Sequence, residues 1–214
     1  MEAVPRHDPT LSPDDLLAAA AVARAALAPA LDRDWSVPAG DLEWSCRRTL
    51  DHIIDALINY AGNLAIRSTE HRASPDVDTS QRPVAVALTM VEAAAAILAE
   101  VVRAAPPGAR GFHEAGMADA CGFVAMGCEE ILVHSNDIAQ GLGVTLYPPA
   151  GLAARVRSRL FPWAPSDVDP WDALRWAAGR TALPASPRLG PDWGWHCAPL
   201  AEWDGTMAKA KWLP

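Results

Sequence analysis

The spacing of apolar residues along the chain predicts four helices of roughly twenty residues, separated by segments rich in Pro, Gly and polar side chains. Ser12 precedes Pro13 and two acids, an arrangement that starts helices, so the first helix is expected to run to about Ala28. The next three are expected at about 46–67, 83–104 and 117–141, each followed by residues that stop a helix. Apart from a short extended piece at 144–147, no convincing strand pattern follows. The pattern therefore predicts an all-α fold.

Four such helices, joined by connections of varied length, favour an antiparallel four-helix bundle within residues 1–145. Residues 146–214 form a different segment, with two short predicted helices at about 149–160 and 170–179 and then a Trp- and Pro-rich tail. Seven of the nine tryptophans lie in this C-terminal extension: Trp163, Trp171, Trp176, Trp193, Trp195, Trp203 and Trp212. Because the extension has little periodic apolar sequence, we expect it to pack on the bundle and not to fold alone.

Composition and charge favour a globular protein and disfavour some classes of partner. The chain has 214 residues, half of them apolar and 21% charged, with a net charge of -8. These are values of a globular protein, and the acidic balance disfavours nucleic acids and anionic membranes as partners. An alternating basic trio on one predicted helix is interpreted as solvated: Arg155, Arg157 and Arg159. Residues 1–11 lack the pattern of a targeting signal, and no apolar run approaches the roughly 18 residues of a membrane span. We therefore expect a cytoplasmic protein.

The cysteines and the isolated histidines are weaker candidates for chemistry. The cysteines lack metal-binding spacings and are interpreted as reduced: Cys46, Cys121, Cys128 and Cys197. Cys46 begins a predicted helix, which could favour its thiolate; the alternative is a small unreactive residue in the first turn. His7, His71 and His113 fall in polar or loop segments and are expected to be solvated, while His196 could approach a cleft from the tail.

The fourth predicted helix carries a group of polar side chains that can do chemistry. Glu130, His134 and Asp137 project within about 60° of one another at 100° per residue. They lie between an apolar face and a face interpreted as solvent-facing, which carries Glu129, Asn136 and Gln140. A carboxylate and an imidazole one helical turn apart can hold a divalent metal ion. Such pairs are also common on solvated helices, so a third ligand is needed.

His52, on the second predicted helix, is the candidate for that third ligand. It shares a stripe with Asn59 and Asn63, roughly 150° from the apolar face of its own helix. Two interpretations follow from this position. His52 is either an exposed histidine on a polar face, or part of a polar cavity between the second and fourth helices. Periodicity alone does not decide between them.

Two motifs resemble those of a known family. The run WSCRRTLDHI at 44–53 resembles the W-(S/T)-(V/C)-x-x-x-(L/V)-x-H-(L/I) segment of DinB-like four-helix bundles, and 130–139 resembles their E-x-x-x-H-x-x-D-(I/L/V)-A helix. The order and spacing are most similar to the N-terminal domain of the mycothiol-dependent maleylpyruvate isomerase family. The resemblance covers roughly residues 12–145, about two-thirds of the chain.

The resemblance implies a metal, usually zinc, held by His52, Glu130 and His134. Two histidines and a carboxylate leave a tetrahedral zinc one open position, as catalytic sites do. In the family, the sulfur of mycothiol fills that position and its thiolate attacks an electrophile, so the implied function is a metal-dependent isomerase or S-transferase acting on a small molecule. Asp137 is the candidate catalytic side chain, as a hydrogen-bond acceptor for a ligand histidine. The alternative for Asp137 is a solvated helix acid.

The extension does not resemble the C-terminal domain of full-length family members. Its run WDALRWAAGR at 171–180 is similar to tails of uncharacterised relatives. Arg175 or Arg180, with an aromatic wall, could bind an anionic or planar ligand; alternatively, the tryptophans only pack on the bundle. Two other functions stay open: a non-catalytic, small-ligand-binding or stress-protective protein, and an interaction module that forms a homodimer or partner surface with its Trp-rich tail.

Overall fold

The computed structural model describes residues 11–72 and 76–210, so the predictions for His7 and Trp212 lie outside the described residues. Within them the chain is mostly helical, with six α-helices and one small two-stranded sheet. The all-α prediction is therefore confirmed for the greater part of the fold, and the sheet is a correction to it. The division of the chain after residue 145 stays a prediction.

The four long helices lie where the apolar spacing predicted them. They are α1 (Pro13–Leu27), α2 (Cys46–Ala65), α3 (Val84–Ala104) and α4 (Ala120–Gly141), each within three residues of the predicted bounds. Side-chain caps fix two of the starts: Ser45 accepts the backbone N–H of Arg48, and Asp119 accepts that of Gly122. Helices α1 and α2 each pack against both α3 and α4. The buried apolar faces of all four helices meet in one core.

Helix α3 contradicts the expectation that no apolar segment is long enough to cross a membrane. Over Val84–Ala104 it is long and apolar enough, by length and composition, to cross a membrane, whereas the sequence was expected to contain no such run. The helix packs against α1, α2 and α4. Core helices of soluble proteins have the same length and composition, so this one helix is weak support for a membrane segment.

A β-hairpin stands between α3 and α4, where the sequence indicated a loop. Strand β1 (Arg110–His113) pairs antiparallel with β2 (Gly116–Asp119). Gly111 lets β1 touch the backbone of α2, because a Cβ at this position would lie 2.7 Å from the carbonyl oxygen of Asn63. The hairpin was missed since each strand has four residues and begins or nearly begins with glycine. Residues 144–147, the predicted extended piece, form no strand.

The extension contains α5 (Ala150–Leu160) and α6 (Pro170–Ala177), followed to residue 210 by chain that is irregular apart from a short 3-10 helix at Leu200–Glu202. Helix α5 packs on α4 and α6. Arg159 of α5 is only 2% exposed; it pairs with Asp119 at 2.6 Å and donates to the carbonyl oxygens of His196 and Cys197. The interpretation of Arg159 as solvated is therefore wrong. This guanidinium joins α5, the tail and the start of α4.

Gly122 marks the closest approach of the tail to α4, and we expect Gly122→Ala to destabilise the protein. A Cβ at this position would lie 2.1 Å from the carbonyl oxygen of Cys197, so backbone must move to admit it. The free energy of unfolding, measured by urea denaturation, should fall by about 1–3 kcal/mol. The matched control is Gly62→Ala in α2, where, apart from the adjoining backbone of the helix itself, no atom of the described residues lies within 4 Å of the new Cβ.

The control should gain up to about 1 kcal/mol, because alanine is the better helix former. Opposite signs for the two variants are expected from the packing of the tail on α4. Equal stabilities would contradict that packing.

Candidate functional site

The three candidate metal ligands come together between two helices. His52 extends from α2, and Glu130 and His134 lie one turn apart on α4. The Nε2 atoms of both histidines lie 3.3 Å from Oε2 of Glu130. One ligand atom from each residue falls within 4.8 Å of the other two, so the group could hold a metal ion.

The packing of α2 on α4 settles the position of His52. Its side chain is 29% exposed, its ring meets that of His134 edge-on at 5.0 Å between centroids, and Trp44 covers it at the same distance. His52 therefore belongs to a cavity between the two helices, and the alternative of a histidine on an open polar face is wrong.

Glu130 is a buried carboxylate with one oxygen left open. Its Oε1 accepts a hydrogen bond from the Tyr60 hydroxyl at 2.8 Å. Its Oε2 is buried and has no hydrogen-bond partner among residues 11–72 and 76–210, although both imidazoles approach it. Buried polar atoms are nearly always paired, so an open carboxylate oxygen between two imidazole nitrogens fits a cation.

The electrostatic environment of Glu130 and His134 favours a positive charge between them. Burial by itself raises the pKa of Glu130, but the neighbouring imidazoles of His52 and His134 outweigh burial and hold that pKa well below its usual value. Burial lowers the pKa of His134, yet its contacts with the carboxylates of Asp137 and Glu130 outweigh burial and raise the pKa to about 9. The site thus stabilises positive charge beside Glu130, either as a proton on His134 or as a bound cation.

Asp137 and Arg180 form the layer behind His134. Asp137 Oδ2 lies 3.2 Å from His134 Nδ1, and Arg180 donates to the same carboxylate from Nε at 3.1 Å and Nη2 at 3.0 Å. Although burial raises the pKa of Asp137, its hydrogen bond to His134 and the charge of Arg180 lower it overall. Asp137 is buried, so the alternative of a solvated acid is wrong. This layer fixes the orientation of the His134 ring.

Of the two candidate arginines, only Arg180 reaches the site. Arg175 pairs with Asp172 within α6, and its guanidinium lies 5.7 Å from the centre of the Trp171 ring. It does not line the cavity beside the metal group. The structure therefore places Arg175 outside the site.

A cavity of about 950 Å³ opens beside the three ligands. Polar amides line it at Asn59 and Asn63, the residues that share a stripe with His52. Its aromatic wall consists of Trp44, Tyr60, Phe112, Trp193 and Trp195. Trp171 and Trp176 are instead buried against the core. The packing interpretation thus holds for Trp171 and Trp176, whereas ligand binding by the wall that contains Trp193 and Trp195 stays a prediction.

The sequence prediction was wrong for Glu129 and Asn136, which lie two turns apart on one face of α4. The helical pattern put both on a solvent-facing side of α4, but both are buried, Glu129 with 2% exposure, and only Gln140 of that face is exposed. Glu129 lines the cavity. Burial, reinforced by the charge of Glu130, raises the pKa of Glu129 to about 8. The one sequence signal that could have indicated this role for Glu129 is its position directly beside the candidate ligand Glu130.

For the remaining histidines and Cys46, the structure agrees with some predictions and contradicts one. His71 is exposed, as expected. His196 lies close to the carbonyl oxygen of Pro199, at 3.1 Å, and does not line the cavity. His113 lies in β1 and lines the cavity, so the expectation that it is solvated is wrong. Burial raises the pKa of Cys46 to about 11, which supports the unreactive alternative for this thiol.

Comparisons with models of protein families, with curated proteins and with solved structures gave no significant match. The geometry of the site is therefore the basis for the function proposed below.

The imidazole of His113 is expected to make the metal-free protein acid-sensitive. Burial lowers its pKa from 6.5 to about 4, against an opposing effect of Glu130, and its Nδ1 accepts the backbone N–H of Ala115 at 3.0 Å. Between these pH values the unfolded chain binds the proton and the folded chain does not, so stability falls as pH falls through this window. We expect His113 to account for about 2–3 kcal/mol of that loss.

The measurement is urea unfolding from pH 7 to pH 4 in the presence of a chelator, for the wild type and His113→Asn. Asparagine keeps an acceptor for the Ala115 N–H but does not titrate. The variant should show a shallower loss of stability with acid, and parallel curves would refute the assignment to His113.

Proposed function

We propose that the protein is a metal-dependent enzyme of the DinB-like class, in which the four long helices form a DinB-like four-helix bundle. The metal we propose is zinc, and the reaction is attack by a metal-activated thiol or water on a small electrophile, of isomerase or S-transferase type. The observation that carries the proposal is the buried Oε2 of Glu130, which lies between the imidazoles of His52 and His134 at the wall of a cavity and accepts no hydrogen bond from the described part of the chain.

The donor set supports zinc. Two imidazole nitrogens and one carboxylate oxygen are ligands that zinc accepts, and three protein ligands leave a position for substrate or solvent. A metal in that position lowers the pKa of a bound water or thiol and so supplies a nucleophile at neutral pH.

The protein's own side chains hold the donor set in place. The Tyr60 hydroxyl orients Glu130 through Oε1, which leaves Oε2 toward the histidines. Asp137 accepts from Nδ1 of His134 and thereby directs Nε2 toward Glu130, while Arg180 secures Asp137. Such support is what a ligand histidine requires to keep one tautomer and one orientation.

The cavity supports a small-molecule substrate together with a thiol cofactor. Its volume of about 950 Å³ lies at the upper end of the range of roughly 300–1,000 Å³ for small-ligand sites. Trp193 and Trp195 form part of its wall, which gives the cavity apolar as well as polar surface. Asn59 and Asn63 offer amide donors and acceptors for polar groups of such a thiol, with mycothiol as the first candidate.

The experiment measures thiol consumption by zinc-loaded protein with mycothiol as the thiol and 1-chloro-2,4-dinitrobenzene as the electrophile. We expect a rate above the buffer rate that His134→Ala abolishes and Glu100→Gln, on the exposed side of α3, leaves unchanged. A rate that persists in His134→Ala would refute the metal-dependent reaction. Zinc binding without any thiol consumption would favour the non-catalytic alternative.

A further inference from the structure

Helix α3 is apolar on its outer side as well as on the side that packs in the core. Only 39% of its most apolar 18-residue stretch is buried. Val86 and Ile97 are 41% and 48% exposed. They belong to an outer stripe that spans about 60° of the helix at 100° per residue and consists of Val86, Met90, Ala93, Ile97 and Ala104. A helix that is apolar all round is normally enclosed on all sides, so the stripe is expected to be covered by a partner.

Helix α1 extends this outer surface along one side of α3. Leu17 is 39% exposed and lies on the face of α1 that carries Asp14 and Arg24. Asp14 pairs with Arg103 near the end of α3, and Arg24 pairs with Glu92 near its middle. Leu17 therefore lies beside α3, between two ion pairs that join the helices. The stripe and Leu17 together form the α3 face.

The composition of the α3 face favours a protein surface over a lipid bilayer as its partner. Helices that lie on membranes place Lys or Arg beside the apolar face and Trp or Phe within it. The α3 face contains only Ala, Val, Leu, Ile and Met, and the neighbouring cations of Arg24 and Arg103 are already paired with carboxylates. The net charge of -8 also disfavours anionic lipids.

The charges at the two ends of the stripe match those of a second copy of the chain when the two helices run antiparallel. A two-fold axis at 91–92 places Val86 opposite Ile97 of the partner subunit, because the two positions lie equally far from the axis. The same register brings Arg82, just before α3, within one residue of Glu100 of the partner subunit. Parallel helices would instead place each of these charges against its own copy, which is repulsive. Charge complementarity therefore favours an antiparallel pair.

Both charges are available for this contact. Arg82 is exposed and forms no ion pair with any residue of 11–72 or 76–210. Glu100 pairs with Arg103 of its own helix, but the pair is exposed, and a carboxylate accepts more than one donor. Each end of the stripe can thus join opposite charges from two copies.

We propose that the α3 face is the interface of a homodimer, in which the α3 helices of two copies pack antiparallel about a two-fold axis and Arg82 of each copy meets Glu100 of the other. The interface is separate from the proposed function, because none of the described residues that line the cavity belongs to α3. It places the partner surface on α3, whereas the sequence suggested the Trp-rich tail. Since one helix of each copy forms its centre, the interface is small, and we expect a Kd on the order of 10 μM.

The first test is sedimentation velocity of the full chain, from tenfold below to tenfold above that Kd. The wild type should pass from monomer to dimer, and Ile97→Glu should weaken the dimer by at least about 100-fold, because it places a carboxylate in the centre of the stripe. The matched control is Ile66→Glu, which changes an isoleucine that is 56% exposed at the end of α2 and should leave the Kd unchanged.

The second test determines the direction of the helices by disulfide cross-linking. A chain that carries both Val86→Cys and Ile97→Cys should form covalent dimers under mild oxidation. Neither single variant should do so, because two copies of one position lie about 16 Å apart along antiparallel helices, beyond the reach of a disulfide. The wild type, with its native cysteines, is the control.

Three results would overturn the proposal. One is a wild type that stays monomeric throughout the concentration range, and another is an equal loss of the dimer in Ile97→Glu and Ile66→Glu. The third is flotation of the wild type, but not of Ile97→Glu, with vesicles of phosphatidylcholine, which would show that lipid covers the α3 face. Efficient cross-linking of Val86→Cys alone would contradict the antiparallel arrangement.

Discussion

Replacing His134 by alanine is expected to reduce the zinc content from about one ion per chain to nearly none. Three ligands hold the ion in the proposed site, and the change removes one of them together with its support from Asp137. Loss of a residue that merely supports a ligand weakens metal binding 10–100-fold, so loss of a ligand should weaken it by at least about 100-fold. His52→Ala should have the same effect, because its Nε2 also lies 3.3 Å from Glu130 Oε2.

Metal analysis after dialysis against a chelator, followed by competition with a zinc indicator, measures both quantities. His196→Ala is the control, since His196 lies outside the cavity and should leave zinc binding unchanged. If His52→Ala and His134→Ala both retain stoichiometric zinc, the ion is bound elsewhere and the proposed site is wrong.

The second large effect concerns stability. We expect Asp137→Asn to lower the free energy of unfolding by about 3–5 kcal/mol, because it leaves the guanidinium of Arg180 and the imidazole of His134 without their shared carboxylate in a buried place. The measurement is urea unfolding in the presence of a chelator, so that a bound metal does not contribute.

Asp41→Asn is the matched control for this change. Asp41 also pairs with an arginine, Arg188, but the pair is exposed, and exposed ion pairs contribute about 0–1 kcal/mol. Comparable losses in the two variants would show that the buried pair has no special role in the fold.

The apolar periodicity of the chain was sufficient to predict the four long helices. Spacing on α4 brought Glu130, His134 and Asp137 together as candidates, and the resemblance to DinB-like bundles, not the spacing, implied which residues hold a metal. Periodicity could not decide whether His52 is exposed or lines a cavity, because it indicates which side of a helix faces the core and not what covers the opposite side. Trp44 and His134 provide that cover, and neither contact follows from the sequence of α2 alone.

The same limitation explains the error on Glu129. A charged residue opposite the apolar face of an isolated helix is normally solvated. In this chain α4 is buried on nearly all sides, with contacts to α5 and to Cys197 and Arg180 of the extension, so that polar residues of both faces are enclosed. The hairpin that brings His113 to the cavity was missed for another reason: two strands of four residues are too short for an alternating pattern, and Gly111 is required by close packing on Asn63.

The ion pair between Arg180 and Asp137 couples packing of the tail to metal binding at the proposed site, so that each should strengthen the other. Arg180 follows α6, and through Asp137 it biases the ring of His134 toward the orientation that a metal requires. Whatever free energy the docked tail adds to metal binding, a bound metal must return to the docked tail. Proteolysis or amide exchange in the segment around Arg180 should accordingly report on metal at a site whose ligands all belong to α2 and α4.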